Sequence, residues 1–594
     1  MHSMSLFVEL LRTRPRTLFW TMAVLQAALW TLVPALFFAA PPGQLPLVLA
    51  IGHEFQFGTE FGPPLAFWLA EIAYRLAGMP GVYFLSQVCI VATFGVVLAL
   101  GRVIVGLPHA VMAVMLMAAI AVFSVPTPEF GPAILATPLW ALILFHYWMA
   151  ARQGRSIYWV ALGVEAGLLL LTTYAGLVLI GLLVLYTVTS ALGRAQIETV
   201  GPWIAGVAMT AVLFPYLIWL DLSASISFLD FATIVSNLHA WAWLTLTLLL
   251  SHTGMLILIV LGRGPLTASD SAAIVIRAPV DPAARRFVYF FALAPVMAMA
   301  LFALFTRRPE NFMAAPLVVM SGLAAIIAAG ERIKIGHQYV IGYAWLALIV
   351  MPPLLVASAI VLQPWTFAAD LRIGKPAAEM GHFFGDSFER RTGRSLAVVA
   401  GDQTLASLVA LEAPSRPSLY LEAAPADRTH VTKQDIAEKG AVILWLATDN
   451  AGRPPPEILR QFPDLAIEVP RAFERQYQGR MPLMRVGWGM IRPSGQSTAS
   501  EGPPVLPLRQ VEPEPPPPPQ PALQTPPAPR PQPLTPAPRP PQIHPQRAEP
   551  RPAQPEPQRD EPPRDMQQPE IIAPEVVRPP RRAPRPAPDL HRPQ

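Results

Sequence analysis

Cysteine and charged residues are scarce in this chain, and each scarcity excludes a class of protein. The 594 residues include a single cysteine, Cys89, so no intrachain disulfide can form, and an exported domain would have to be held together by packing alone. Charged residues make up 14% of the sequence and hydrophobic residues 53%, which excludes an ordinary soluble globular protein. We therefore expect a polytopic membrane protein.

Several motifs that define enzyme classes are also missing. The sequence has no zinc-ligand spacing, no phosphate-binding glycine loop and no serine-hydrolase elbow. The formal net charge of +5 is an average over dissimilar regions, and it gives no indication of a nucleic-acid partner. The residues themselves predict neither a resident metal site nor a nucleic-acid interface.

Long apolar runs dominate the first 365 residues. An arginine-rich start precedes a run that is too long for a cleaved signal peptide and lacks a small-residue cleavage site, so it reads as a retained signal-anchor helix. Eleven membrane spans are predicted, with an uncertainty of one or two, at about 17–39, 82–104, 108–126, 131–151, 158–173, 175–192, 203–221, 240–262, 286–305, 314–330 and 338–362.

The distribution of basic residues predicts the orientation of these spans. With the N-terminus in the cytoplasm, the outer loops hold only Arg75, Arg307 and Arg308. The inner segments then hold Arg12, Arg14, Arg16, Arg102, Arg152, Arg155, Arg194, Arg263, Arg277, Arg285, Arg286, Arg332 and Lys334. Basic residues favour the cytoplasmic side. The first loop, residues 40–80, and everything after an odd number of spans should therefore lie outside, as in a bacterial-type inner (plasma) membrane protein.

Residues 366–493 change in character and predict a small exported α/β domain. A helix is expected to begin at Thr432, with Asp435 three residues on as in a capping box. Short apolar strands alternate with predicted helical segments. The predicted strands are at 397–400, 418–422 and 441–446.

The last hundred residues, 494–594, predict a disordered tail. They hold about half of the 69 prolines and few large apolar residues. Such a composition cannot offset the entropy of ordering the chain. We expect polyproline II stretches that act as a spacer or as a loose partner-binding arm.

The first external loop combines polar residues with two short amphipathic segments. Leu47, Val48, Ile51 and Phe55 recur at helical spacing, whereas His53, Glu54 and Gln56 fall off that face. The segments 46–57 and 64–77 are therefore predicted to be helices lying at the membrane interface. Pro63 and Pro64 break the chain between them and start the second helix.

Three motifs carry a resemblance to a known family. The first is Gly58, Pro63, Pro64, Leu65, Trp68 and Leu69, the second is Thr137-Pro-Leu-Trp140, and the third is Gly167-Leu-Leu-Leu-Leu-Thr-Thr-Tyr-Ala175. Their order and membrane placement resemble glycosyltransferases of the C-type membrane fold. The closest resemblance is to glycosyltransferase family 39, with its protein O-mannosyltransferases and lipid A aminoarabinose transferases. It covers roughly residues 1–365.

The chain departs from the family at three polar positions. Members usually place an acidic pair, one of which is the catalytic base, about nineteen residues before the two prolines, but Gln44 and Leu45 stand there. Ala136 replaces the usual acid before Thr-Pro-Leu, and Thr173 replaces a lysine. The resemblance implies the fold and location more strongly than the mechanism.

The predicted active site lies in the first loop and in the loop after the ninth span. An inverting sugar transfer needs a carboxylate that takes the acceptor proton and a cation that holds the departing phosphate. Glu54 and Glu60 are the candidate bases, and His53 could assist as a base or a metal ligand. Arg307 and Arg308 are the candidate phosphate ligands, because guanidinium groups suit phosphate oxygens.

Structural roles compete with these assignments. The polar side chains of the first loop could be solvated faces of interfacial helices, and the arginine pair could anchor lipid headgroups or pair with Glu310. Glu165 lies in an apolar run, where a functional role is the first hypothesis, although the inner interface could solvate it. Asp221, Asp230 and His239 could line the same cavity, but their spacing gives no support for this.

We therefore expect a mainly α polytopic glycosyltransferase with about eleven spans, a small exported α/β domain and a disordered tail. It would transfer a sugar from a polyprenyl-phosphate donor to a glycan, lipid or protein acceptor on the periplasmic face. No cofactor is certain; a divalent metal is compatible with the resemblance because some relatives use one. The alternatives are a catalytically degenerate relative that binds lipid-linked glycan or assembles partners, and a transporter.

Overall fold

Helices make up most of the computed structural model. It describes residues 6–58, 61–222, 234–263, 273–305, 314–335, 338–366, 371–420, 431–447, 452–477, 479–480 and 483–494. The helices before the C-terminal sheet are α1 Leu6–Thr13, α2 Pro15–Phe37, α3 Leu45–Gly52, α4 Leu65–Val105, α5 Leu107–Ala118, α6 Pro132–Gln153, α7 Ser156–Leu170, α8 Gly176–Thr189, α9 Ala191–Ile197, α10 Gly201–Leu222, α11 Ile234–Ser251, α12 Thr253–Arg263, α13 Pro282–Phe302, α14 Ala314–Leu317, α15 Ser321–Ala328 and α16 Gln338–Thr366.

All eleven predicted apolar runs fall on helices, but the predicted number of spans is not confirmed. Within the described ranges, seven helices are long and apolar enough to cross a membrane, or eight if the bent pair α8 and α9 is one span. The helices α5, α7 and the segment 314–328 are apolar but shorter. Length therefore accounts for the difference, because a straight span needs about 20 residues.

The first of the two predicted interfacial helices is shorter than expected. The first, α3, ends at Gly52 instead of residue 57, and all eight of its residues are buried. The predicted end at residue 57, with Phe55 on the apolar face, is thus wrong: Phe55 lies beyond the helix, has a φ of 49° and is 38% exposed. The position of α3 at the membrane interface stays a prediction. The helix is buried because other elements cover the side that was expected to face water.

The second predicted helix ends close to its expected position. The first part of α4 stops at Ala77 and Gly78, which leave helical geometry, and the helix then resumes toward Val105. Pro80 lacks an N–H donor and its ring clashes with the carbonyl four residues earlier, while Gly78 adopts a φ of 63° without strain. The loop-proximal part of α4 is therefore set at an angle to its long apolar part.

The C-terminal part of the described chain forms the predicted α/β fold. A short ribbon earlier in the chain pairs β1 Ala273–Ile276 with β2 Arg332–Ile335. The C-terminal elements, which together form the sheet region, are α17 Ala377–Thr392, β3 Val398–Gly401, α18 Gln403–Glu412, β4 Ser418–Leu419, α19 Lys433–Lys439, β5 Ala441–Leu446, α20 Pro456–Gln461, β6 Ala466–Ile467, β7 Arg471–Phe473 and β8 Met484–Ile491. The six-stranded sheet of this region has the order β4-β3-β5-β8-β6, with β7 also paired to β8. The strand β3 is parallel to β4 and β5, whereas β8 is antiparallel to β5.

Both faces of this sheet are covered, which explains why β5 is apolar at consecutive positions. Along β5 the buried residues alternate between two cores: Val442 and Leu444 pack with Phe384 and Trp488, and Ile443 packs on the opposite face. A strand buried on both sides reads as a continuous apolar run. This is why the strand at 441–446 was predicted correctly to the residue.

The predicted start of α19 is confirmed in its details. The Thr432 hydroxyl accepts a hydrogen bond from the Asp435 backbone N–H, and the Asp435 carboxylate accepts one from the Thr432 backbone N–H. Together these bonds form a capping box. The hydrogen bond from Lys439, together with those that the Asp435 carboxylate accepts from Thr432, holds the pKa of Asp435 well below its usual range.

Replacement of Phe384 tests the packing of the sheet core. This side chain is fully buried against Phe473 and Trp488, so Phe384→Ala should lower the free energy of unfolding of the sheet region by about 3–5 kcal/mol. Protease resistance of the purified protein during denaturant titration measures the change. Val469→Ala, at a side chain 82% exposed, should change it by less than about 0.5 kcal/mol. Equal changes in the free energy of unfolding for both variants would contradict the packing of Phe384 in this core.

Candidate active site

His53 and Glu54 lie in the turn that follows α3. Both side chains are half-buried, and Gln56 Nε2 donates a hydrogen bond to the Glu54 carboxylate. His53 Nδ1 lies 3.2 Å from Glu71 Oε1, so its ring is already engaged by a carboxylate outside the predicted site. The catalytic roles predicted for His53 and Glu54 remain predictions.

The architectural residues of the first motif form a tight corner. Trp68 Nε1 donates a 2.8 Å hydrogen bond to the Gln56 carbonyl. Gly58, Pro63 and Pro64 are buried, and a Cβ atom at Gly58 would overlap the ring of Trp219. The glycine and the aromatic residue of this motif thus fix the path of the loop against α10.

Several other predicted residues lie outside the described parts of the chain. These are Glu60, Asp230, Arg307 and Arg308, so their predicted roles stay predictions. Of the remaining candidates, His239 is exposed on α11, and Asp221 belongs to α10. Within the described residues, no group of three or more His, Cys, Asp or Glu side chains could hold a metal ion.

Glu165 has a partner within the helical bundle. Its Oε1 lies 2.7 Å from His146 Nδ1, and the His146 ring stacks on Tyr158. Glu165 lies on α7 and His146 on α6, so the contact joins two neighbouring helices. This pairing offers a structural role for Glu165, which is an alternative to the predicted functional role.

Glu71, which the sequence did not single out, is surrounded by cationic groups. It lies on the first part of α4 and is only 1% exposed. Arg75 Nε lies 2.8 Å from Glu71 Oε1, and Arg416 Nη2 lies 3.0 Å from Glu71 Oε2. With His53, these two arginines give one buried carboxylate three partners. A buried charge is tolerated when it is paired in this way.

Arg416 links Glu71 to the sheet region. It follows α18, and besides Glu71 it donates a 3.2 Å hydrogen bond to the Leu49 carbonyl of α3. Its guanidinium carbon lies 4.8 Å from the centroid of the Tyr74 ring. Its backbone has a φ of 48°, an uncommon value for a residue with a side chain. Arg416 thus ties the sheet region to the first loop.

A second carboxylate, Glu129, lies at the place where the family's acidic pair is missing. Its Oε1 accepts a 2.7 Å hydrogen bond from the backbone N–H of Gln44. A Cβ atom at Gly43 would overlap the carboxylate, so only glycine leaves this space free. Burial raises the pKa of Glu129, although the Gln44 N–H and the positive charge of Arg372 oppose that rise.

The loop that carries Glu129 is held firmly. Thr127 is fully buried, its Oγ1 accepts a 3.0 Å hydrogen bond from Gln87 Nε2, and its carbonyl accepts one from the Ser86 hydroxyl. Pro126, Pro128 and Pro132 restrict the backbone around it. The carboxylate is therefore presented on a rigid support.

A polar cavity of about 180 Å³ lies between the first loop and the sheet region. Gly43 and Gln44, which contact Glu129, belong to its wall, as does Arg372. The remaining lining residues are Pro41, Pro46, Gln403, Thr404, Ser407 and Leu408. The wall offers one cation with hydroxyl and amide groups, a set suited to a hydroxylated or anionic ligand.

One part of this arrangement had a signal in the sequence. Glu71 and Arg75 are four residues apart in a predicted helix, the spacing of an intrahelical ion pair. Arg416 and Glu129 lie far from the first loop in sequence, and nothing in their local sequence indicates a contact with it. Only the tertiary structure brings them there.

The fold and this site define a polytopic membrane protein whose first loop and C-terminal sheet region together enclose a polar cavity. Residues 62–219 match the family model for dolichyl-phosphate-mannose-protein mannosyltransferase. The matched stretch contains all three motifs apart from Gly58. The match confirms over these residues the predicted resemblance to membrane glycosyltransferases, and it supports a membrane glycosyltransferase. No curated protein sequence matches the chain significantly.

Solved structures with similar chains include an ArnT and an oligosaccharyltransferase. ArnT from Cupriavidus metallidurans bound to undecaprenyl phosphate is 14% identical, with a TM-score of 0.46, over 80% of this chain and 98% of that chain. Its apo form is 14% identical, with a TM-score of 0.47, over 80% and 97%. The Archaeoglobus fulgidus oligosaccharyltransferase in its apo form is 14% identical, with a TM-score of 0.36, over 67% and 64%.

A double-mutant cycle tests the contact between Arg416 and Glu71. Arg416→Ala leaves Glu71 buried with one partner fewer, so it should destabilise the sheet region by about 1–3 kcal/mol. Glu71→Gln combined with Arg416→Ala should cost less than the sum of the single changes, with a coupling of about 0.5–3 kcal/mol. Denaturant titration with proteolysis as readout measures each variant. Arg492→Ala, at an exposed site, is the control, and strict additivity would argue against the contact.

Proposed function

We propose that the chain is an integral membrane glycosyltransferase that takes a sugar from a polyprenyl-phosphate donor and transfers it to an acceptor on the periplasmic face. The observation that carries this proposal is the family match over residues 62–219, which is named for a mannosyltransferase with a dolichyl-phosphate donor. Dolichyl phosphate is a polyprenyl-type phosphate, so a donor of this chemical class fits the proposal. The sugar is left open.

Two independent features support placing the site on the outer face. Basic residues are concentrated in the segments predicted to be cytoplasmic, which puts the first loop outside. The contact of Arg416 with Glu71 requires the sheet region to lie on the same side of the membrane as the first loop. The ten spans predicted between them, an even number, meet that requirement.

The reaction assigns roles to the candidate residues. A carboxylate accepts the proton of the acceptor hydroxyl while the acceptor oxygen bonds to the anomeric carbon and the sugar–phosphate bond breaks. Glu54, Glu60 and His53 are the first-loop candidates for the base. Arg307 and Arg308 would hold the phosphate of the departing polyprenyl phosphate, where a fixed positive charge stabilises the leaving group.

Sugar transfer in isolated membranes tests this function. Membranes with the wild-type chain should transfer label from polyprenyl-phosphate-linked sugars to an endogenous acceptor, and Arg307→Ala with Arg308→Ala should lower the rate at least about tenfold because the leaving phosphate loses its counter-charge. Arg102→Ala, exposed on the opposite end of α4, is the matched control.

Absence of transfer by the wild type with mannosyl, glucosyl and aminoarabinosyl donors would contradict the enzymatic function. Saturable binding of the same donors without transfer would favour the glycan-binding scaffold. The missing acid at Gln44 is the feature of the chain that favours that alternative.

A further inference from the structure

Glu129 contacts the residue that stands where the resemblance expects the catalytic acid. The resemblance expects a carboxylate at residue 44 or 45, and the structure instead brings Glu129 Oε1 to 2.7 Å from the backbone N–H of Gln44. The carboxylate reaches this point from another loop, 85 residues further along the chain. A carboxylate is thus present beside Gln44, although it does not come from the sequence position that the resemblance expects.

We propose that Glu129 is the base that accepts the proton of the acceptor hydroxyl, in place of an acid at residues 44–45. The proposal rests on the glycosyltransferase function proposed above. In the reaction, the acceptor O–H proton passes to Glu129 and the acceptor oxygen bonds to the anomeric carbon. The bond from that carbon to the phosphate oxygen breaks, and its electron pair leaves with the polyprenyl phosphate.

The geometry around Gly43 supports this role. The carboxylate occupies the space in which a side chain at residue 43 would lie, and Gly43 and Gln44 also line the 180 Å³ cavity. A hydroxyl group of an acceptor seated in that cavity would therefore lie beside the residues that hold the base. The cavity is smaller than the roughly 300–1,000 Å³ of typical small-molecule sites, so it suits one part of an acceptor.

The surroundings of Glu129 keep it fixed and basic. Its loop is anchored to α4 through Thr127, Ser86 and Gln87, and a base held in place needs little reorganisation during reaction. Burial raises its pKa, against the opposing effects of the Gln44 N–H and Arg372. A carboxylate with a raised pKa is a stronger base than a solvated one.

A purely structural role makes a different prediction. Glu129 could serve only to accept the Gln44 N–H and so cap the start of α3, where a negative charge is favourable. Glu129→Gln distinguishes the two roles, because the amide oxygen still accepts that hydrogen bond but cannot take up a proton. A structural residue would tolerate this change, and a base would not.

The first test compares initial rates of sugar transfer at saturating donor. Glu129→Gln should lower the rate by about 10²–10⁴-fold, the usual contribution of a general base, while the protease resistance of the sheet region stays unchanged. Glu198→Gln, at an exposed site on another element, should keep the wild-type rate. A rate for Glu129→Gln within threefold of wild type would overturn the proposal.

Relocation of the acid gives a second test. In the Glu129→Gln background, Gln44→Glu returns a carboxylate to the wall of the same cavity and should recover at least tenfold of the lost rate. For the wild type, the rate should rise with pH through a pKa above the ordinary carboxyl range, because only the ionised base accepts a proton. The proposal would be overturned if Gln44→Glu did not restore transfer and the Glu129→Gln protein also lost its protease resistance. That pair of results would assign Glu129 a structural role.

A labelling experiment separates this proposal from the proposed function. A water-soluble carbodiimide should modify Glu129 in the wild-type protein, and a bulky maleimide attached to Gln44→Cys should block that modification. Glu129 that is unmodified, or modified equally with and without the maleimide, would overturn its placement at the cavity. This holds even if the wild type transfers no sugar, a result that would count against the glycosyltransferase function alone.

Discussion

The buried carboxylate of Glu71 links the first loop of this molecule to its sheet region. Removing an ionised carboxylate from water costs several kcal/mol, which paired charges and hydrogen bonds must offset. His53, Arg75 and Arg416 supply those partners. Because Arg416 belongs to the sheet region, Glu71 keeps all three partners only while that region remains docked on the first loop.

This docking creates the polar cavity and sets its chemistry. The cavity wall combines residues of the first loop with Arg372 and residues of α18. Backbone hydrogen bonds from Ala39 and Ala40 to the Ile373 carbonyl add to the contact. A sheet region that only capped the membrane helices would not contribute lining residues. The residues that line the cavity and the residues that dock the sheet region therefore belong to the same surface.

A carboxylate can reach one point of a fold from different segments of the chain. Gln44 stands where the family resemblance expects an acid, and by sequence alone this favours a degenerate protein. The carboxylate of Glu129 contacts the Gln44 backbone from a different loop. The structure thus places a negative charge next to a residue of the cavity wall, on a loop that is held by Ser86 and Gln87.

The sequence by itself determined the membrane class, the apolar runs, the two-sided burial of β5 and the cap at Thr432, because these depend on composition and on neighbours within a few residues. The predicted number of spans is not confirmed, and the predicted first-loop helix extends to residue 57 although α3 ends at Gly52 and is buried by distant elements. Glu129 and Arg416 meet the first loop across 85 and 345 residues of chain. Only the tertiary structure decides such contacts, because they arise from packing between segments that carry no local signal for one another.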